Sequence, residues 1–194
     1  MALNAYARTA TDRILTPVGR RLVRLGATPN GLTTVGLVTT FAGAAVVVSG
    51  HHVMGALILA LGTATDAFDG IVARLRGSAT KFGAFYDSVS DRISDVVLFG
   101  VAMWLVRDNP VLFVIALIAL GGALLTSYIR AKAESLGWHA TVGLLEHAER
   151  VIILIIAIAV DMVAVALWVL AVGAVITVVQ RLREVMLQAG LMAS

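Results

Sequence analysis

The sequence contains no cysteine among its 194 residues, which excludes disulfide bonds and any chemistry that depends on a thiolate. It is also poor in charge: only 14% of its residues are charged, whereas 59% are hydrophobic and the mean hydropathy is +0.93. Soluble domains seldom carry so little charge. The composition therefore predicts an integral membrane protein, and the length favours one membrane domain that comprises residues 1–194.

Long stretches without charge predict how the chain crosses the bilayer. They cover residues 26–65, 96–106, 110–129 and 162–180, and about 20 apolar residues suffice for one helical span. Turn residues such as Ser49-Gly50 and Asn109-Pro110 divide these stretches. We therefore expect an all-α integral membrane fold that begins with an amphipathic, basic surface helix at 4–25. Six transmembrane helices follow it, at 31–49, 53–75, 82–106, 110–132, 144–160 and 163–183.

Two features bear on this six-helix topology. A turn near Asp161 must separate the last two spans, because one fused helix of about thirty apolar residues would be too long for a bilayer. With that turn in place, every basic residue except Arg107 falls on the same side as both termini. Because basic residues collect in the cytoplasmic loops of membrane proteins, we expect a multi-pass protein of the cell membrane with cytoplasmic termini and a cytoplasmic site.

Aspartates are concentrated between residues 66 and 95, in a region flanked by apolar spans. Asp66 and Asp69 are three residues apart near the cytoplasmic end of the second span, so they share one helix face. Asp87, Asp91 and Asp95 follow at a spacing of four in the third span. Because these two helices are adjacent and antiparallel, we expect their carboxylates to face one another at the cytoplasmic surface.

Carboxylates grouped in this way repel one another, and the membrane adds a desolvation cost. Oxygen ligands with no histidine or cysteine beside them suit a hard cation such as Mg²⁺ or Mn²⁺, and four carboxylates are enough for two ions. Paired divalent ions commonly serve phosphoryl transfer. Gly70, Ala73 and Gly83 would let a bulky ligand approach the helix backbones. Asp95 could orient the metal ligands or pair with Arg92.

The spacing of these residues resembles the signature of a known enzyme family, the CDP-alcohol phosphotransferases. The pattern is Asp66-x-x-Asp69-Gly70-x-x-Ala73-Arg74, then eight residues, then Gly83-x-x-x-Asp87-x-x-x-Asp91. The resemblance extends to the whole chain, since it implies a basic surface helix followed by six spans. It also implies that CDP-diacylglycerol binds with its pyrophosphate on two metal ions. An alcohol then attacks the β-phosphorus, and CMP leaves.

The resemblance implies roles for individual residues as well. Asp66, Asp69, Asp87 and Asp91 would hold the metal ions, and Asp91 would also accept the proton of the attacking alcohol. Contacts with the CDP-lipid would come from Pro29, Asn30, Gly31, Leu32, Gly70, Ala73, Arg74, Thr80 and Gly83. A homodimer is the family's usual form, and we expect no nucleic-acid partner.

Polar and basic residues from three further spans lie at the same cytoplasmic level as the aspartates. Ser127 and Arg130 lie at the end of the fourth span, Arg150 lies at the start of the fifth, and Arg181 lies at the end of the sixth. A cluster of arginines beside a metal site is a ready receptor for a phosphate. We therefore expect the acceptor alcohol to carry its own phosphate.

The segments SYIRAKAE, EHAER and QRL around these residues resemble the actinobacterial family members that use inositol phosphate, the phosphatidylinositol phosphate synthases. A phosphatidylglycerophosphate synthase, which takes glycerol 3-phosphate, would need a similar pocket. A cation or proton-coupled transporter is an interpretation from another class, but it would need charges near the bilayer midplane. Arg150 and Arg181 could also simply pair with Glu146 and Glu149. His147 is predicted as a neighbour of the pocket.

Overall fold

The computed structural model describes residues 16–191, and every regular element within them is an α-helix. The predicted surface helix at 4–25 lies partly outside the described residues; its part at 16–24 is helical and is labelled α1. The other helices are α2 (Pro29–Val48), α3 (His52–Arg76), α4 (Lys81–Leu105), α5 (Pro110–Ser135), α6 (His147–Ala159) and α7 (Val163–Gln188). The predicted all-α fold is confirmed for this part of the chain.

Threonine side chains fix where two of the helices begin. Thr28 Oγ1 accepts a hydrogen bond from the Gly31 amide at 3.2 Å at the start of α2, and Thr80 Oγ1 accepts one from the Gly83 amide at 2.9 Å at the start of α4. Helix α3 ends at Arg76, and the next residue, Gly77, has a left-handed φ of +61°, as is common after a helix. The short connection at 77–80 therefore brings the end of α3 beside the start of α4.

The predicted turn between the last two spans is confirmed. Asp161 lies between α6 and α7 with a φ of +57°, a left-handed conformation that aspartate tolerates better than most residues. Helix α6 begins at His147 rather than at the predicted 144, because Glu146 and Glu149 form a capping box in which the Glu146 amide donates to Glu149 Oε2 at 3.0 Å.

Four of the helices are long and apolar enough to cross a membrane, namely α2, α3, α5 and α7. The chain is therefore a multi-pass membrane protein. Helix α4 has 25 residues, but it carries Asp91, Arg92 and Asp95 in its middle, and α6 has only 13 residues. These two helices do not meet the same criteria, so the predicted number of six spans is not settled by the described helices.

The helices pack so that α2 lies against α3 and α4, α5 lies against α7, and α6 lies among α3, α4 and α7. Glycines allow α2 and α3 to approach closely. A Cβ atom on Gly43 would lie 2.9 Å from the Leu59 amide nitrogen, and one on Gly55 would lie 2.7 Å from the Val47 amide nitrogen. The largest fully buried apolar side chains of the core come from five helices: Val47, Leu59, Leu98, Phe99, Leu154, Ile158, Leu167 and Leu170.

Candidate active site

Two adjoining pockets lie at one end of the helix bundle, where α2, α4 and α6 begin and α3, α5 and α7 end. Ala84 and Asp87 of α4 line both pockets, so this helix forms the wall between them. Asp69 of α3 lines the first pocket, and Asp91 of α4 lines the second. Asp69, Asp87 and Asp91 therefore lie where the pockets join, whereas Asp66 lines neither pocket.

The first pocket has a volume of about 160 Å³ and is formed by the start of α2, the end of α3 and the start of α4. Most of the residues predicted to contact the CDP-lipid line it, namely Pro29, Asn30, Gly70, Ala73, Thr80 and Gly83. Thr33, Ser78, Ala79 and Ala84 line it as well, although the sequence did not single them out.

The other predicted CDP-lipid residues lie beside this pocket. The Gly31 amide caps α2, and Leu32 is buried in the protein. Arg74 Nη1 lies close to Gly70: a Cβ atom built on that glycine would be 3.7 Å from this nitrogen. Asn30 Oδ1 would be 3.3 Å from a Cβ atom on Gly83. Because positions 70 and 83 are glycines, no side chain fills the pocket next to the Arg74 guanidinium or the Asn30 amide.

The two aspartates of α3 are held by α2. Thr33 Oγ1 donates a hydrogen bond of 2.7 Å to Asp69 Oδ2, and both side chains are buried. Asp66 is half-buried and packs against Gly36, where any side chain would overlap its carboxylate. Such a Cβ atom would also lie 3.1 Å from the Gly62 carbonyl oxygen. No pattern in the sequence indicated that Thr33 and Gly36 support the aspartates, since both are ordinary residues of an apolar helix.

The carboxylates fit a hard divalent cation by their chemistry. Within residues 16–191, no basic side chain forms a salt bridge with Asp66, Asp69 or Asp87. No three acidic or histidine side chains in this part of the chain are already arranged around one point as a metal cluster. The aspartates nonetheless offer oxygen atoms, the ligands that Mg²⁺ and Mn²⁺ prefer. The expectation that no histidine lies beside them is wrong, because His147 Nε2 is 3.6 Å from Asp91 Oδ1.

The second pocket is larger, about 600 Å³, and strongly polar. It is enclosed by α4, the end of α5, the start of α6 and the end of α7. All of the predicted acceptor residues line it, namely Ser127, Arg130, Arg150 and Arg181. The structure thus brings together side chains from three helices that are far apart in the sequence.

Three of the four arginines that line this pocket have a carboxylate partner. Arg150 Nη2 donates to Asp95 Oδ2 at 2.7 Å in a fully buried pair. Arg130 pairs with Glu134 at 3.0 Å, and Arg92 pairs with Asp91 at 3.3 Å. The simple alternative, in which Arg150 pairs with Glu146 or Glu149, is not observed, because those glutamates cap α6.

Arg181 is the exception among the arginines of the second pocket. Its Nε donates to the Val142 carbonyl oxygen at 2.8 Å, and its Nη1 donates to the Thr126 carbonyl oxygen at 2.6 Å. It forms no salt bridge with any acidic residue in the described range. The residue is only 4% exposed, so its charge is buried with no described carboxylate at salt-bridge distance.

Asp95 does not pair with Arg92, which was one of the two roles considered for it. Its side chain instead joins α4 to α6, since it accepts hydrogen bonds from Arg150 and from His147 Nδ1, the latter at 3.1 Å. His147 lines the second pocket, as predicted, and its Nε2 lies 3.6 Å from Asp91 Oδ1. Asp95 therefore holds two residues that face the pocket.

Arg92 is a charged residue of this pocket whose role sequence reasoning missed. The spacing of three suggested a pair with Asp95, but the guanidinium turns toward α5 and its Nη2 donates to Ser127 Oγ at 2.9 Å. Ser88, four residues before Arg92, also accepts from Nη1. The helical spacing between Ser88 and Arg92 was a signal for this orientation.

Comparison with known proteins places the chain in a family. Residues 26–180 match the family model described as CDP-alcohol phosphatidyltransferase. The phosphatidylinositol phosphate synthase of Corynebacterium glutamicum is 38% identical in an alignment that covers 93% of this chain and 87% of that protein. The chain belongs to the CDP-alcohol phosphatidyltransferase family and is an enzyme of that class.

Solved structures show the same relationship. A crystal structure of the Mycobacterium tuberculosis phosphatidylinositol phosphate synthase with CDP-DAG bound superimposes with a TM-score of 0.82 at 36% identity, covering 90% of this chain and 94% of that one. A second structure of that protein, in complex with manganese and citrate, gives a TM-score of 0.81 at 36% identity and covers 88% of each chain. The resemblance inferred from the aspartate pattern is thereby confirmed.

Proposed function

We propose that this protein is a phosphatidylinositol phosphate synthase, which transfers the phosphatidyl group of CDP-diacylglycerol to a hydroxyl of inositol phosphate and releases CMP. The observation that carries the proposal is the pair of pockets that share Asp87. One pocket offers small residues and oxygen acceptors, and the other offers buried arginines. Two substrates that each bear phosphate can therefore meet at one row of carboxylates.

The proposed metal ligands are Asp66, Asp69, Asp87 and Asp91, which would hold two Mg²⁺ or Mn²⁺ ions. Their support is the oxygen-only donor set and the lack of a salt bridge to the first three within the described residues. When bound, such ions would supply positive charge to the pyrophosphate oxygens and to the departing CMP. Thr33 fixes Asp69, and Gly36 leaves room for Asp66.

The first pocket is proposed to bind the CDP moiety. Asn30, Gly70, Ala73, Thr80 and Gly83 form its wall, with Pro29. Gly70 and Gly83 would let the nucleotide approach the helix backbones, and Arg74, whose Nη1 lies close to Gly70, would bind the pyrophosphate. Gly31 and Leu32 lie next to these residues. The Gly31 amide caps the start of α2, and the Leu32 side chain is buried in the protein.

The reaction is a substitution at the β-phosphorus. Asp91 is proposed to take the proton from the acceptor hydroxyl as that oxygen forms its bond to the β-phosphorus. The bond between the β-phosphorus and the bridging oxygen breaks, and CMP leaves with that oxygen. Asp91 suits this role because it lines the pocket that holds the acceptor, directly beside Asp87 at the junction of the two pockets.

The acceptor's own phosphate is proposed to bind among Ser127, Arg130, Arg150 and Arg181. Of the three arginines, Arg181 has the strongest case, because its charge is buried and has no carboxylate partner in the described chain. Arg150 is offset by Asp95, and Arg130 by Glu134. A phosphate would complete the charge balance of the pocket best if it bound next to Arg181.

The topology proposed for this function has six transmembrane helices and a cytoplasmic site. Helices α6 and α7 are separated only by residues 160–162. Helix α6 therefore ends at the level in the membrane at which α7 begins. Both pockets lie at the end of the bundle that carries the basic residues, which favours the cytoplasmic side. The interfacial helix at 4–25, the single domain and the homodimer remain predictions.

The proposal is tested by measuring CMP release from CDP-diacylglycerol by the purified protein in detergent with Mg²⁺. Inositol 1-phosphate, free inositol and glycerol 3-phosphate are supplied separately as acceptors. Release that depends on inositol phosphate is expected. Release with glycerol 3-phosphate alone would favour a phosphatidylglycerophosphate synthase, which uses the same aspartates and also needs a phosphate pocket.

Replacement of Gly36 by alanine is expected to lower CMP release about 100-fold, because a displaced catalytic group costs about that much in rate. The added methyl group would overlap the Asp66 carboxylate and force it aside. Manganese affinity, measured by electron paramagnetic resonance, should fall in parallel. Gly121→Ala is the matched control, since a Cβ atom there meets nothing within 4 Å. A Gly36→Ala enzyme with normal activity and metal affinity would contradict the role of Asp66.

A further inference from the structure

The Arg92 side chain connects Asp91 to the opposite wall of the second pocket. Its Nη1 donates to Asp91 Oδ2 at 3.3 Å and to the Ser88 carbonyl oxygen at 2.7 Å, both on α4. Its Nη2 donates to Ser127 Oγ of α5 at 2.9 Å. Because the guanidinium is planar and rigid, these contacts on two helices define its orientation and, through it, the direction in which the Asp91 carboxylate is held.

Arg92 is the only hydrogen-bond donor to the Asp91 carboxylate among residues 16–191. The other carboxylate oxygen, Oδ1, lies 3.6 Å from His147 Nε2, which is too far for a hydrogen bond. Asp91 Oδ2 is thus held on the side of Ser127, whereas Oδ1 lies on the side of His147 and has no donor. The two oxygens of one carboxylate are therefore not equivalent.

Ser127 is arranged to receive Arg92. Its hydroxyl donates to the Ala123 carbonyl oxygen at 3.1 Å, so its lone pairs accept the arginine N–H. Arg92 Nε is buried and has no hydrogen-bond partner among the described residues. An arginine that leaves a buried donor unsatisfied is poorly explained by stability alone, whereas its two Nη atoms join the proposed proton acceptor to the acceptor pocket.

We propose that Arg92 is a positioning residue for the reaction, an inference that rests on the proposed function. It holds Asp91 Oδ2 so that Oδ1 stays in the second pocket, where the acceptor hydroxyl must lose its proton. Ser127 fixes Arg92 from the pocket wall, so the direction of the Asp91 carboxylate is set by the same wall that receives the acceptor. Ser127 would then act through Arg92 rather than only as a phosphate ligand.

The test compares Arg92→Met, Arg92→Lys, Ser127→Ala and the double variant Arg92→Met/Ser127→Ala in the CMP-release assay. Arg92→Met should lower kcat about 100-fold, as expected for a misdirected catalytic group, with little change in KM for CDP-diacylglycerol or inositol phosphate. Arg92→Lys should recover part of the rate, because an ammonium can hold only one of the two partners. The double variant should be no slower than Arg92→Met, since both substitutions break one chain of contacts.

Arg107→Met is the matched control, because this arginine lies beyond the far end of α4 and stacks on Trp104, 4.5 Å from its ring. Additive losses in the double variant, or a rise in KM for inositol phosphate with kcat unchanged, would overturn the inference. If Arg92→Met does not fold, Arg92→Lys must lower kcat without raising that KM, and Ser127→Ala must lower kcat as well. A wild-type protein inactive with every acceptor would overturn the proposed function itself, whereas full activity in Arg92→Met would overturn only this inference.

Discussion

Replacement of Asp91 by asparagine should reduce the rate of CMP release about 1,000-fold, within the range that general bases contribute to catalysis. The substitution keeps the size and shape of the side chain, but an amide cannot take the proton of the acceptor hydroxyl. Asp91 lines the pocket that contains the arginines, and its neighbour Asp87 lines both pockets. The loss should therefore appear in kcat.

Binding of CDP-diacylglycerol separates this role from a purely ligating one. Asp66, Asp69 and Asp87 remain in the Asp91→Asn variant, so its affinity for the CDP-lipid, measured by isothermal titration in the presence of Mg²⁺, should be largely retained. Asp108→Asn is a suitable control, because Asp108 is exposed between α4 and α5 at the other end of the bundle. Full turnover in Asp91→Asn would show that the proton goes elsewhere.

Replacement of Arg181 by methionine should raise KM for inositol phosphate about 30-fold, which corresponds to about 2 kcal/mol for the loss of charge-assisted hydrogen bonds to a phosphate. KM for CDP-diacylglycerol should change far less, because Arg181 lines only the second pocket. For Arg181→Lys, KM for inositol phosphate should lie between the wild-type and Arg181→Met values, since a lysine keeps the charge but loses the fixed geometry of the guanidinium.

Stability must be followed in the same experiment. Arg181 also donates to the carbonyl oxygens of Val142 and Thr126, so some loss of melting temperature is expected. Arg150→Met should destabilise the protein more, by about 3 kcal/mol, because it removes the buried guanidinium that pairs with Asp95 and leaves that buried carboxylate with the His147 contact alone. Arg183→Met is the matched control for Arg181→Met, because Arg183 lies two residues further along α7 and is exposed. An equal rise in KM for both substrates in Arg181→Met would indicate a structural role.

The sequence predicted the helices well because apolar runs, turn residues and caps are local signals. The hairpin of α3 and α4 could be read from the spacing of Asp66 and Asp69, from that of Asp87 and Asp91, and from the short connection between them. Most residues of the first pocket follow from this hairpin. The family pattern also lies within it, which is why the class of enzyme could be inferred before the fold was known.

The second pocket was less accessible to sequence reasoning, because its contacts join residues far apart in the chain. Arg150 meets Asp95 across 55 positions, and Arg181 meets the carbonyl oxygen of Thr126 across 55 positions as well. The cluster of basic residues was visible, but which arginine has a carboxylate partner depends on how α4, α5, α6 and α7 pack. The spacing of Ser88 and Arg92 indicated their contact within α4, but the contact of Arg92 with Ser127 of α5 depends on the same packing.

The number of spans shows the limit of hydropathy. Helix α4 contains Asp91, Arg92 and Asp95, which the proposed function places in or beside the active site, so it reads as less apolar than a membrane helix with a purely structural role. Helix α6 is short because the capping box at Glu146 delays its start. The residues just before it serve another purpose, since the amides of Leu144 and Leu145 donate to Thr177 Oγ1 of α7.

The most direct test of the proposed function is a competition for the lipid product. The purified protein would receive CDP-diacylglycerol and Mg²⁺ together with equal concentrations of inositol 1-phosphate, free inositol and glycerol 3-phosphate, and the new lipids would be identified by mass spectrometry. Two pockets that share Asp87, one of them lined by the buried Arg181, predict a phosphorylated acceptor, and the similarity to phosphatidylinositol phosphate synthases predicts phosphatidylinositol phosphate as the main product. Phosphatidylglycerophosphate or phosphatidylinositol as the main product would contradict the assignment of the acceptor.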